Sequence, residues 1–193
     1  MLKKYLPFLI YFLILTNIGC SVKDDKFLSE YRPIIVLYNE EIIKLNSYAN
    51  KDANPYLAME YFASFADRME EIRQKGIIIN PPKSKKMTEF YVKFNLLIEK
   101  SKKIGLVFSV DYMGIAEYQI YHANDKLTNE DKKWFRNECN KWLDETEILY
   151  KDFVSLNNEM SSIAKDKFRV DFQKVDIDTM YNEYKNSIKL NIK

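Results

Sequence analysis

Glycine is scarce in this chain, at 4 residues in 193, and proline contributes only 5. Tight hairpin turns and bulges draw heavily on glycine, so a β-sandwich or barrel is disfavoured. Few runs alternate apolar and polar residues as half-buried strands do. Histidine occurs once and cysteine twice, too few for a zinc pattern. No glycine-rich phosphate loop and no nucleophile elbow occurs. An excess of one charge is lacking as well, with 30 basic residues against 28 acidic ones. Such a balance gives no broad electrostatic footprint for nucleic acid, so no nucleic-acid partner is expected.

What is present begins at the N-terminus. Lys3 and Lys4 precede an unbroken apolar run, Leu6 to Leu15 (LPFLIYFLIL), and Ile18-Gly19-Cys20 closes the segment. As helix, that run covers about 15 Å, roughly half of a bilayer's hydrocarbon core, and is short for a stable span. A basic start, an apolar middle and small residues at the end describe a secretory signal peptide.

With cysteine as its last residue, the segment resembles a bacterial lipoprotein signal. Ile18, Gly19 and Cys20 follow that family's pattern, whereas Asn17 stands where leucine is usual, a looseness that some bacterial groups share. The resemblance covers about the first twenty residues. It implies cleavage between Gly19 and Cys20, a diacylglycerol on the Cys20 sulfur and often acylation of the new amine. Two or three chains at about 0.8 kcal/mol per buried methylene suffice for stable anchoring. Ser21, in place of the aspartate that retains such proteins at the inner membrane of enteric-type bacteria, implies the outer membrane where one exists. An uncleaved anchor, or an ordinary secreted protein with an incidental Cys20, are the alternatives.

This reading divides the chain into a leader (1–19), a polar tether (20–28) and one domain (29–193). Loss of Lys3 and Lys4 leaves the mature chain formally neutral. With Cys20 acylated, Cys139 has no partner for an intramolecular disulfide, and packing must supply the stability.

Helical periodicity dominates the rest. Tyr31, Ile34, Ile35, Tyr38, Ile42, Leu45 and Ala49 predict a helix from about Ser29, with Pro33 in its first turn. A second runs from Pro55 to Lys75, capped by Asn54 and ended by Gly76 in a left-handed conformation. Pro81-Pro82 breaks the chain, and Ile77, Ile78 and Ile79 are expected to pack that crossover onto the core. A third helix starts near Lys85 and continues to about Ala123, kinked or interrupted near Gly105; a short strand over Leu106–Val110 is the alternative. Thr128, followed by Glu130 and Asp131, starts a helix of about 35 residues, and a shorter one begins near Asp178. The fold expected is all-α, an up-down antiparallel bundle of four main helices plus a short C-terminal one.

Chemistry-bearing residues are few. His122 has Glu117 five residues away, off the same face, and is expected to be solvated. Cys139 could pair with His122 as a nucleophile, but it falls in the apolar stripe of Phe135 and Trp142 and reads as core. Glu40-Glu41, Glu70-Glu71 and Asp144-Glu145 read as solvated polar faces, and the lysines at 83, 85, 86, 100, 102 and 103 as soluble surface or a match for anionic head groups. Tyr48, Tyr56, Tyr61, Tyr118 and Tyr121 lie partly off the stripes, where rings serve recognition or sit half-buried. No metal, cofactor or catalytic residue is assigned. The function expected is that of a non-enzymatic envelope lipoprotein, anchored through Cys20, whose helical domain binds another macromolecule, with an unidentified protein as the expected partner. The alternatives are a small-ligand carrier with an apolar pocket between helices and, from another class, a hydrolase whose residues converge only in three dimensions.

Overall fold

The computed structural model describes residues 6–49, 55–121 and 128–191, and among them every regular element is helical. The elements are α1 (Leu6–Ala49), α2 (Pro55–Ile77), α3 (Lys85–Leu106), α4 (Tyr112–Tyr121), α5 (Asn129–Ile163) and α6 (Asp178–Asn191). A π-helical turn, Val107–Asp111, joins α3 to α4 without a break, and a second one, Ala164–Phe168, ends α5. The strand alternative for Leu106–Val110 is therefore excluded. No described helix is long and apolar enough to cross a membrane.

Local chemistry explains most boundaries. Thr128 accepts the Asp131 backbone N–H at 3.2 Å while the Asp131 carboxylate accepts that of Thr128 at 3.1 Å, a reciprocal cap at the start of α5. Ser84 caps α3 through the Met87 N–H. At the other end of α5, Arg169 takes a left-handed conformation (φ 56°), and the Val170 N–H returns to the Ala164 carbonyl at 3.2 Å.

Three expectations are corrected. α1 begins well before Ser29, so residues 21–28 are helical and Pro33 lies inside the helix, removing one backbone hydrogen bond. Phe27, buried and stacked on Tyr31 with ring centroids 4.9 Å apart, extends the apolar stripe by a turn. Gly76 is helical and its φ is not positive; its smallness serves α1, because a Cβ there would stand 3.3 Å from the Tyr31 hydroxyl. Of the three isoleucines only Ile79 packs against the core, and Ile78 is 82 % exposed.

The largest fully buried side chains are mainly aromatic, among them Tyr31, Tyr38, Phe62, Phe90, Phe94, Phe108, Phe153 and Phe168. Contacts between helices pair ascending with descending numbers. Gly105 meets Phe62 and Ala66 across α2 and α3, and Glu70 meets Lys102 further along. Lys93 pairs with Glu159, Lys100 with Asp152 at 2.7 Å, and Val107 with Trp142 across α3 and α5. α1 and α3 instead share a direction, with Phe27 against Tyr91 and Tyr38 near Ser101.

One segment without periodicity is held by side chains rather than by a ladder. Residues 170–177 have no regular secondary structure and run along α1. Asn39 donates to the Asp171 carbonyl (3.1 Å) and accepts the Gln173 N–H (2.7 Å). Asn46 does the same with Lys174 (2.6 Å) and Asp176 (2.8 Å). Asn157 adds a bond to the Gln173 carbonyl and accepts the buried Tyr38 hydroxyl, both at 3.0 Å.

Candidate functional site

Where α4 leaves α5, the bundle opens into a groove of about 360 Å³. One wall comes from the π turn and α4: Asp111, Gly114, Ile115 and Tyr118. Their spacing of three or four residues puts them on one helix face. Three turns of α5 make the other wall, with Trp134, Phe135, Glu138, Lys141, Trp142 and Glu145. From Trp134 to Glu145 that wall is about 16 Å long at 1.5 Å per residue.

Ring contacts hold the groove's shape. Tyr118 stacks on Phe135 (4.6 Å between centroids, 12°) and lies 5.2 Å from Trp134, which is 53 % exposed. Trp142 is buried edge-on against Phe108, and its indole N–H donates to the Val107 carbonyl at 3.4 Å. Val107 opens the π turn, and its carbonyl also faces the backbone N–H of Tyr112. Such insertions re-aim the side chains that follow and recur at functional sites. Gly114 is the open floor: nothing lies within 4 Å of where its Cβ would be. A mid-helix glycine costs about 1 kcal/mol relative to alanine, and here no close packing accounts for it.

The groove is acidic as well as aromatic, since Asp111, Glu138 and Glu145 face a single Lys141. Partial shielding from water, then the Glu145 charge, push the Asp111 carboxyl above its ordinary value, while Lys103 and Lys141 oppose the shift. An arrangement of rings and carboxylates attracts a cation through both ring quadrupole and charge.

The residues singled out in the sequence fare differently. Gly19 and Cys20 lie in α1 ahead of Asp25, and their side chains fall outside the described part. His122 also lies outside the described residues, so its relation to Cys139 is not defined. Cys139 is fully buried in the core, and burial, then the Glu138 charge, push its thiol up to about 11. At neutral pH it is a thiol, not a nucleophilic thiolate. Among the described residues no three acidic, histidine or cysteine side chains gather as metal ligands.

Of the acidic pairs, Glu40, Glu71 and Asp144 are solvated, and Glu145 lines the groove. Glu70 is held by Arg73 and Gln74 on its own helix and by Lys102 of α3 at 3.1 Å. Glu41 corrects the expectation outright: it is 6 % exposed and ion-paired to Arg68 of α2. It stands three residues after Tyr38 and four before Leu45, on the flank that α2 covers. Tyr48 and Tyr61 stack face to face at 4.2 Å, half-buried, whereas Tyr118 is drawn into the groove; the side chains of Tyr56 and Tyr121 fall outside the described part. Asp111, Trp134 and Glu138 went unread. The available signal was Trp134, a large ring beside a stripe that begins at Phe135.

Compared with protein families, curated proteins and solved structures, the chain matches none.

Proposed function

We propose that this protein is a lipid-anchored bacterial envelope protein that acts by binding, and that the α4–α5 groove receives a basic segment of a partner protein. The acyl chains would sit on Cys20, at the outer membrane if the source has one. In this reading the helices form an up-down antiparallel bundle of four main helices with a short C-terminal one, a rigid post carrying the groove. The single observation that carries the binding function is the lining itself: Trp134, Tyr118 and Trp142 beside Asp111, Glu138 and Glu145. Exposed aromatics mark recognition surfaces, and the excess of carboxylates sets the sign of the partner. A wall about 16 Å long exceeds a small amine and suits four or five extended residues.

The chain's 2 tryptophans both line the groove, so intrinsic fluorescence reports on it directly. Titration with a short arginine- and lysine-rich peptide free of aromatics should give a saturable emission change. An acidic peptide of equal length should give none, and Glu138→Lys with Glu145→Lys should abolish the response. No response to the basic peptide would overturn the reading. The groove's volume also falls within the range of small-molecule sites, which favours a ligand carrier as second reading. Saturation by a single organic amine as readily as by the peptide would select it. The anchor has its own test: Cys20→Ser should release the protein from membranes.

A further inference from the structure

α3 is enclosed on three sides. Lys102 reaches Glu70 of α2, Lys100 reaches Asp152 of α5, and Ser101 lies by Tyr38 of α1. The fourth side carries Val92, Leu96, Glu99, Lys103 and Leu106, all exposed, and Val110 follows in the π turn. Their spacing alternates between four and three residues. That is the 3.5-residue rhythm of a coiled-coil seam, on a face that nothing in the same chain covers. Val92 and Val110 are 59 % and 56 % exposed, Leu96 and Leu106 43 % and 40 %. Single exposed apolar residues are ordinary, but an aligned series on one helix face is a surface.

The series is its own complement when reversed. Glu99 and Lys103 stand two positions either side of Ser101, Leu96 and Leu106 five, and Val92 and Val110 nine. Two copies of α3, antiparallel about a two-fold axis at the level of Ser101, would set carboxylate on ammonium, leucine on leucine and valine on valine. Each contact is then made twice, as an isologous interface requires. A parallel pair would instead set Glu99 on Glu99 and Lys103 on Lys103.

The charges support the same pairing. Lys93, Lys100 and Lys102, which flank the seam, are each ion-paired within the chain, to Glu159, Asp152 and Glu70. Among the described residues Glu99 and Lys103 make no ion pair and feel Arg73 and Asp111 only through space. Ile148 of α5, 65 % exposed, adds to this surface, one helical turn before Asp152 on the flank beside α3. The pairs Lys100–Asp152 and Val107–Trp142 set it about level with Lys103, close to the axis.

We propose that this face of α3 binds a second copy of the chain as an antiparallel, two-fold symmetric helix pair. Aliphatic layers at both ends close off a central pair of charge contacts. A seam one helix wide is small beside the roughly 800 Å² per partner of a standard interface, so the dimer is a weak, concentration-dependent one. The pairing does not depend on the reading of Cys20. If that reading holds, two copies on one membrane lie with the two-fold axis along its normal and an anchor at each end.

The test uses the full chain in mild detergent under reducing conditions, its mass followed by sedimentation over a range of concentrations. The native chain should pass from monomer to dimer as concentration rises. Glu99→Lys sets lysine on lysine and Lys103→Glu sets glutamate on glutamate, so each should weaken self-association about tenfold or more. Both positions are exposed, so neither change threatens folding, which circular dichroism checks. Mixed in equal amounts, the two variants should associate as the native chain does, because each supplies the charge that the other lacks. A native chain that stays monomeric overturns the proposal and leaves the face to a different protein or to lipid. A dimer indifferent to both single changes, or variants that stay apart when mixed, overturns it too by removing the contact from these positions.

Discussion

Asn39 and Asn46 stand seven residues apart on α1, and Asn46 grips the backbone of the strap over it three residues further along than Asn39 does. The match is geometric. Seven helical residues rise about 10.5 Å, and three extended residues advance about 10 Å. Arg32, seven residues before Asn39, continues the series by donating to the Phe168 carbonyl, three residues before Asp171. One helix face therefore reads the backbone of residues 168–176 with two side-chain amides and a guanidinium in place of a ladder. Phe168, Val170, Phe172 and Ile177 are meanwhile buried in the core.

Each asparagine satisfies one backbone donor and one acceptor, so Asn39→Ala should destabilise the fold by about 1–2 kcal/mol, partly offset by alanine's better helix propensity. Asn46→Ala should cost about the same. Because both act on one segment, the double variant should depart from additivity. Urea midpoints of the four proteins in the cycle measure this. Additive losses would show that the two grips act independently.

The helical glycines should respond in opposite directions. A Cβ at Gly105 would meet the Phe62 carbonyl at 2.8 Å and the Ala66 backbone N at 2.9 Å, so α2 and α3 would have to part. Gly105→Ala should destabilise by about 1–3 kcal/mol despite its propensity gain. Gly114→Ala, with open space around it, should stabilise by roughly 0.5–1 kcal/mol and weaken the groove's response to a basic peptide. Thermal unfolding of both variants, with the tryptophan titration repeated on the second, distinguishes a packing glycine from a site glycine.

The pair Glu41–Arg68 joins α1 to α2, with the carboxylate buried and the guanidinium partly exposed. Arg68→Ala leaves a carboxylate in a largely desolvated place with only Lys44 beside it, and should cost about 3 kcal/mol. Glu41→Gln with Arg68→Leu should recover much of that loss, because no buried unpaired charge remains and the Lys44 ammonium is largely in solvent. Denaturant titrations of the single and double variants decide it; a double variant as unstable as Arg68→Ala would refute the explanation.

Acid should loosen α6. Hydrogen bonds from Lys151, then Lys185, pull the Glu147 carboxyl down to about 2 from an ordinary 4.5. Lys185 belongs to α6, so this contact ties α6 to α5 at 2.8 Å. A depressed carboxyl contributes stability that is present above pH 4.5 and fades as pH falls towards 2. The stability difference between the native chain and Glu147→Gln should accordingly be full near pH 6 and vanish near pH 2. A difference constant across that range would show that the ion pair contributes nothing.

Much of the helical scaffold was legible because burial imposes a 3.6-residue rhythm on whichever residues face inward. The stripe of α5 through Cys139, Trp142, Leu149, Phe153 and Met160 is buried as its spacing requires. The Thr128 cap and Met180, Tyr181, Tyr184 and Ile188 of α6 follow the same logic. Misreadings fell where a neighbour decides. Gly76 looked like a helix end because glycine so often is one, yet its smallness answers to Tyr31. Glu41 looked solvated because its partner is 27 positions away. The groove was least legible, because Asp111, Trp134 and Glu138 become one surface only when α4 and α5 are side by side.

The sequence alone determined that the chain folds as helices, where most of them start and which faces turn inward, since propensity, capping and periodicity are local properties. Only the tertiary structure decided that two asparagines hold a strap, that a glycine lets two helices touch, and that rings and carboxylates from separate helices line one groove. Those depend on distances between residues far apart in the chain, and no local pattern encodes them.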